Sequence, residues 1–222
     1  MSDDHLPLAG TAVLLRDGVA GLEVLMIERP DRGSFAGAWV FPGGGLEESD
    51  RMPGAELVDD ARRAAARETA EEVGLAIDPD ELVTLSRWTP PTAPPAGAPK
   101  RVRTWFYVGA ASDAELTPSA AEVVTAAWVQ PGAVLARHGR GEIRLYPPTW
   151  VTLHGLTAHG DVASALQAAR DAAPGMFATV IRERVFVWEP DVACDKSVEL
   201  AASGPRHRLH AEALPWRYEV SS

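Results

Sequence analysis

The 222-residue chain contains a single cysteine, Cys194. One thiol cannot build an internal disulfide framework, and so low a count fits a reducing compartment. No uninterrupted apolar run approaches the roughly 18 residues that would argue for a membrane-spanning helix. The start, MSDDHLPLAG, is acidic and has no apolar stretch, which argues against a secretory leader. Positive charge is in short supply: 21 lysines and arginines stand against 31 acidic residues, a formal net charge of -10. Such a balance repels phosphate backbones, so nucleic acid is a poor partner. A small anionic substrate remains compatible, because a bound metal reverses the local field. The six histidines show no metal-ligand spacing, and His154 and His159 fall five apart on an expected helix, out of line with each other. No internal repeat is visible. The expectation is a cytoplasmic enzyme or binding protein, large enough to bury one real core.

What is present has a clear order. Gly10–Leu15 and Leu22–Ile27 are short apolar runs on either side of Asp17-Gly18, a turn signal, and read as strands. Residues 38–41 read as a third strand, stopped by Pro42. Gly43, Gly44 and Gly45 follow, where the backbone can turn tightly or pass close to another group. Residues 55–73, rich in alanine, arginine and glutamate, read as a helix that stops at Gly74. Strands are expected at residues 82–88, 102–108 and 123–129. The five prolines between Thr89 and Lys100 make that segment a stiff exposed loop. Helices are expected at residues 132–138, 149–159 and 161–172. Beyond Pro174 the alternating stretch TVIRERVFVW, Thr179–Trp188, reads as a strand, with one or two more to follow. The boundaries expected are a main domain over 8–173 and a β-rich extension over 174–222, packed on that domain.

The helix poses a question at its end. Arg67-Glu68-Thr69-Ala70-Glu71-Glu72 puts three carboxylates into five residues. At about 100° per residue, Glu72 falls about 40° and Glu71 about 60° from Glu68, on the stripe that Leu57, Ala61, Ala64 and Ala65 fill in earlier turns. Like charges at these spacings destabilise a helix by a few tenths of a kcal/mol each in water. Under partial burial, at an effective dielectric near 20, a pair about 4 Å apart repels by roughly 4 kcal/mol. A hard divalent cation removes that cost, since Mg2+ is held by one or two carboxylates together with substrate phosphates. Arg67 stands four residues before Glu71 and can pair with it.

These residues resemble the Nudix box, G-x5-E-x7-R-E-U-x-E-E-x-G-U with U aliphatic. Arg67-Glu68, Glu71-Glu72, Gly74 and Leu75 match its second half, and Thr69 stands where an aliphatic residue is usual. The lead-in Trp39-Val40-Phe41-Pro42-Gly43-Gly44 is similar to the family's approach to its box. The first half departs. Five residues after Gly44 comes Asp50 in place of Glu, and residues 51–66 number 16 where the pattern has seven. Asp50 or Asp59 fills the upstream acidic slot, and the spacing leaves both open. A long insertion here is similar to a branch that includes coenzyme A diphosphatases. Gly37–Gly44 matches that branch's G-x3-FPGG element, and the stretches Arg87–Pro91 and Pro147–Thr149 resemble its flanks. The resemblance covers roughly residues 10–160.

The resemblance implies an α/β fold, an α/β/α sandwich with a mixed central sheet and a loop-helix-loop catalytic motif. It implies hydrolysis of the diphosphate bond of a nucleoside diphosphate joined to another group, with Mg2+ or Mn2+ as cofactor. Glu68, Glu71 and Glu72 match the metal-binding positions. Glu71, Glu72 and Glu122 are the candidates for taking the proton from water, Glu122 because a glutamate in a similar loop serves some members, and Arg67 supports the box. Arg101 and Arg103, after the proline-rich loop, and the backbone of Gly43 and Gly44 are candidates for holding substrate. The tryptophans at 39, 88, 105 and 128 are expected in the core, and Cys194 as a bystander. The partner is a small nucleoside diphosphate, first coenzyme A or acyl-coenzyme A, then ADP-ribose, NADH or a nucleotide sugar. No nucleic acid or membrane is expected, and a homodimer is the protein assembly the reading allows. Two other classes compete: a nucleotide-sensing domain without turnover, which the three retained glutamates disfavour, and a regulator with a DNA-binding tail, which the weakly basic segment after 174 disfavours.

Overall fold

A computed structural model describes residues 5–33, 35–111 and 114–222. The long first strand explains the rest. In β1 (Leu8–Gly18), Ala12 and Leu14 point to one side and Val13 and Leu15 to the other, and all four are fully buried. A strand covered on both faces reads as a continuous apolar run rather than an alternating one. In β2 (Gly21–Glu28), Leu25 and Ile27 join the first pair while Val24 and Met26 join the second. Two cores therefore form, one on each face of a single sheet.

The other strands of that sheet are β3 (Trp39–Val40), β4 (Gly43–Gly45), β5 (Val83–Thr89), β6 (Arg103–Ala110), β7 (Thr125–Val129) and β8 (Gly175–Ala178). The order is β3-β2-β1-β6-β5-β8, with β4 also on β1 and β7 also on β2. β1–β6 and β5–β8 are parallel and the other pairs antiparallel, so the sheet is mixed. Helix α1 (Leu57–Val73) covers one face. Its buried Ala61, Ala64 and Ala65 let it lie close to β1, and the Tyr107 hydroxyl of β6 donates to the carbonyl of Val58 in its first turn. Helices α2 (Pro131–Gly139), α3 (Pro147–Leu156) and α4 (Val162–Asp171) cover the other face, with Val134, Trp150, Leu153 and Leu166 packed against Val13, Leu15 and Met26. The result is the α/β/α arrangement expected from the sequence.

Of the two expectations for the diglycine stretch, a tight turn or a close backbone passage, the second holds: Gly43–Gly45 is a short strand paired with Thr11–Ala9, close against Gly10 and Glu68. The stretch Thr179–Trp188, expected as one strand, is a hairpin of β9 (Val180–Arg182) and β10 (Val185–Val187). Glu183 and Arg184 make its two-residue turn at φ 52° and 69°. A two-residue hairpin turn with positive φ at both positions usually signals itself with Asn or Gly. Here neither is present, and an even loop length preserves the alternation of the flanking residues, so the turn was invisible. With β11 (Arg206–His210) and β12 (Arg217–Ser221) this hairpin forms a second, four-stranded sheet in the order β12-β11-β10-β9. Trp188 and Leu209, both fully buried, enter the same core as Val13 and Trp150. The polar centre of this sheet is the buried pair Asp191–Arg208, with nitrogen–oxygen contacts of 2.6 and 2.7 Å. Among the described residues, no helix is long and apolar enough to cross a membrane.

Candidate metal centre

Helix α1 has no N-cap hydrogen bond from its Glu56 side chain, but its far end is closed on several sides. Gly74 takes the left-handed conformation at φ 75° and returns its N–H to the carbonyl of Ala70. Thr117 N–H donates to the carbonyl of Val73 and Ser119 N–H to that of Glu72, each at 2.9 Å. The loop before β7 thus satisfies last-turn carbonyls that a helix end leaves unpaired. That loop carries Glu122.

Glu72 is fully buried. One carboxylate oxygen accepts the Gly43 N–H at 2.9 Å, and the other is paired with Arg29. Glu68, one turn earlier, lies over Gly44, and its side chain is 16% exposed. Glu122 approaches from the loop. One carboxylate oxygen from each of Glu68, Glu72 and Glu122 can be chosen so that all three lie within 4.8 Å of one another. Burial pushes the Glu72 carboxyl up to about 7, the charges of Glu68 and Glu122 add to the rise, and the Gly43 N–H and Arg29 oppose it. Burial also raises Glu68, against the lowering influence of Arg67.

Arg67 ties this end of the helix to the loop upstream. Its guanidinium grips both carboxylate oxygens of Asp50 at 3.1 Å, donates to the carbonyl of Gly45 at 2.9 Å, and pairs with Glu68 at 3.1 Å and Glu71 at 3.0 Å. The bond to Asp50, more than any other influence, holds its pKa above the ordinary arginine value. Asp50 is therefore the upstream acid that meets the box arginine, whereas Asp59 pairs with Arg62 within the helix at 2.8 Å.

Of the residues singled out from the sequence, Glu68, Glu72 and Glu122 come together, with Gly43 and Gly44 beside them. Glu71 stands apart. Its side chain is 54% exposed, is tied to Arg67, and lies outside the cluster, about 100° around the helix from the buried Glu72. Arg103 lies on β6, with β1 between it and β4, and Arg101 precedes it, its Nε donating to the carbonyl of Pro91 at 2.9 Å. Neither belongs to the acidic cluster. Arg29 was missed. A lone arginine between a strand end and Pro30 carries no sequence signal, and only the fold brings it to Glu72. Trp39 and Trp88 are buried, while Trp105 and Trp128 are half-buried. Burial, aided by Glu189 and Asp191, pushes the Cys194 thiol up to about 11, which leaves it unreactive at neutral pH.

The donors are all carboxylate oxygens, the hard ligands that suit Mg2+ or Mn2+. Without a cation, burial first and the charges of Glu68 and Glu122 second favour a proton on Glu72. This donor set fits a divalent ion.

The chain belongs to the NUDIX domain family: the domain model of that family matches residues 6–148. Among curated proteins it is similar to the m7GpppN-mRNA hydrolase NUDT17 of Danio rerio, with 33% identity over 139 residues. That alignment takes in 57% of this chain and 43% of the relative, so the chain spans less than half of the relative's length. Among solved structures it is similar to a NUDIX hydrolase from Alicyclobacillus acidocaldarius, with 24% identity and a TM-score of 0.62, over 73% of this chain and 96% of that one. This second likeness speaks to the fold.

Proposed function

We propose that the chain is a divalent-cation-dependent hydrolase that opens the diphosphate bond of a nucleoside diphosphate joined to a second group. The observation that carries this reading is the convergence of Glu68, Glu72 and Glu122, whose oxygens lie within 4.8 Å of one another, one of them fully buried. A bound Mg2+ or Mn2+ would neutralise the diphosphate and make water a better nucleophile at neutral pH. The chain supplies the rest. Glu68 and Glu72 are oriented by Arg67, Arg29 and the Gly43 N–H, so little reorganisation is needed when the cation arrives. Glu122 is the candidate for accepting the proton of water, because its carboxylate has no ion pair among the described residues, whereas Glu71 is held by Arg67. Glu71 keeps a supporting role through that arginine.

For the substrate, coenzyme A or an acyl-coenzyme A is the first reading, supported by the Gly37–Gly44 match and the long insertion within the box. A capped RNA end is the second, favoured by the 33% identity to an mRNA cap hydrolase. Residues 174–222 are read as part of the same unit, supported by the pairing of β8 with β5. The test is a Mg2+- or Mn2+-dependent assay over coenzyme A, ADP-ribose, NADH, dinucleoside polyphosphates and a cap dinucleotide, with wild type and Glu72→Gln. At least one compound should be turned over, and the variant should lose that turnover by a factor of about 10² or more. Turnover that survives in Glu72→Gln, or that does not respond to chelation, would remove the metal centre from the mechanism.

A further inference from the structure

A second feature lies on the other face of the sheet. A cleft of about 700 Å3 opens between Glu28, Asp31, Gly37 and Trp39, the segment joining α2 to α3, and the C-terminal sheet. Its size falls within the range of small-molecule sites, roughly 300 to 1,000 Å3. Part of its wall, Arg184 and residues 211–216, comes from beyond the stretch that the family model matches.

The cleft and the metal centre share a strand end. Successive side chains of β2 point to opposite faces. Met26 and Ile27 sit in different cores, so Glu28 borders the cleft and Arg29 reaches Glu72. The loop that follows is tied to both sides. Arg32 donates to the carbonyl of Ala121, beside Glu122, at 2.9 Å, and Arg144 of the cleft donates to the carbonyl of Ala36 at 3.0 Å.

The lining identifies a kind of ligand. Three arginines and four carboxylates surround the space, so it has no excess positive charge with which to hold a phosphate. Planar groups are dense: Trp39, under the guanidinium of Arg137 at 5.1 Å, and Trp216, edge to face with His138 at 4.5 Å. His138 is 4% exposed, and its Nδ1 is buried without a hydrogen-bond partner. Burial also lowers its pKa and keeps the ring neutral. Aromatic walls mixed with donors and acceptors suit a flat, uncharged, hydrogen-bonding ring. We propose that this cleft is the nucleobase subsite of the substrate whose diphosphate meets the acidic cluster across the loop, and that the C-terminal sheet completes it. The proposal rests on the hydrolase reading for the identity of that substrate.

The test is calorimetric titration of the full chain, in the presence of a chelator, with adenosine, guanosine and inorganic pyrophosphate. It is run on wild type, Glu28→Gln, Arg184→Asn and Glu72→Gln; asparagine is chosen because residue 184 sits at φ 69°. A nucleoside should bind without metal, and each cleft variant should weaken it at least tenfold. Glu72→Gln should bind it as wild type does while losing hydrolysis. On a substrate that is turned over, the cleft variants should act on KM rather than kcat. The proposal is overturned if neither nucleoside binds, if affinity is unchanged in both cleft variants, or if pyrophosphate is the ligand they weaken. Should one variant fail to fold, the other decides. Hydrolysis that survives Glu72→Gln would sink the metal centre alone, since the metal-free titration still reads the cleft.

Discussion

Gly44→Ala separates the stability of this fold from the geometry of its site. A β-carbon added at residue 44 would stand 2.2 Å from the carboxyl carbon of Glu68 and 2.3 and 2.4 Å from its two oxygens. Ordinary contact begins near 3.4 Å, so the carboxylate must retreat by about 1 Å. The backbone at Gly44 is not in the left-handed region, and the obstructing group is the tip of a flexible side chain, so the chain can fold around the methyl group. The expected loss of stability is about 1 kcal/mol or less, a shift of about 2–4 °C in melting temperature at this size. Function should suffer far more, because a 1 Å misplacement of an oriented group can cost on the order of 10²-fold in rate. Thermal melts, with kcat measured across a Mg2+ titration, read both quantities. A variant that keeps wild-type turnover and metal dependence would show that Glu68 need not occupy its position against β4. A variant that unfolds would show that the strand, rather than the carboxylate, requires the glycine.

Three further outcomes rest on the same structure. Gly74→Ala places a side chain at φ 75° with its β-carbon 1.8 Å from the hydroxyl of Thr117, so it should destabilise by about 1–3 kcal/mol in chemical denaturation and loosen the loop that carries Glu122. Adding Mg2+ at about 100 times its dissociation constant should raise the unfolding free energy by about 2.7 kcal/mol, and Glu68→Gln or Glu72→Gln should remove most of that gain; equal gains in wild type and variants would place the ion elsewhere. Burial alone would raise the Asp191 carboxyl, but bonds from Arg208 and the N–H groups of His207 and Ala193 prevail and hold it at about 2, against an ordinary 3.8. The folded value lies below the unfolded one, so this stabilisation is present above about pH 4 and is lost as pH falls from there toward 2. It amounts to about 2 kcal/mol and should vanish from the acid limb of the stability profile in Asp191→Asn.

The legible parts of this protein are those set by local pattern. The apolar runs of β1 and β2, the alanine stripe of α1 and its stop at Gly74 are periodic or positional signals, and the box glutamates sit at fixed helical angles. Glu68 and Glu72 follow from that angle. Glu71 falls about 60° from Glu68 on the side away from Glu72, about 100° from Glu72 itself, and there it is exposed and tied to Arg67. Arg29 and the choice of Asp50 over Asp59 needed tertiary structure, since each depends on a loop folding back onto the helix. The hairpin within Thr179–Trp188 was hidden for a local reason: Glu183 and Arg184 adopt positive φ without the residues that usually announce it.

The two amide bonds from Thr117 and Ser119 to the last turn of α1 bear on how this site could drift through generations of mutation. The third carboxylate is located by main-chain atoms, so side chains at 120 and 121 are free to vary without moving it. Loop length has no such latitude. Gaining or losing one residue between Ser119 and Glu122 would displace the acid by about 3.5 Å, too far for it to keep its place beside Glu68 and Glu72. Relatives that keep this centre should therefore differ here by replacement and almost never by insertion or deletion.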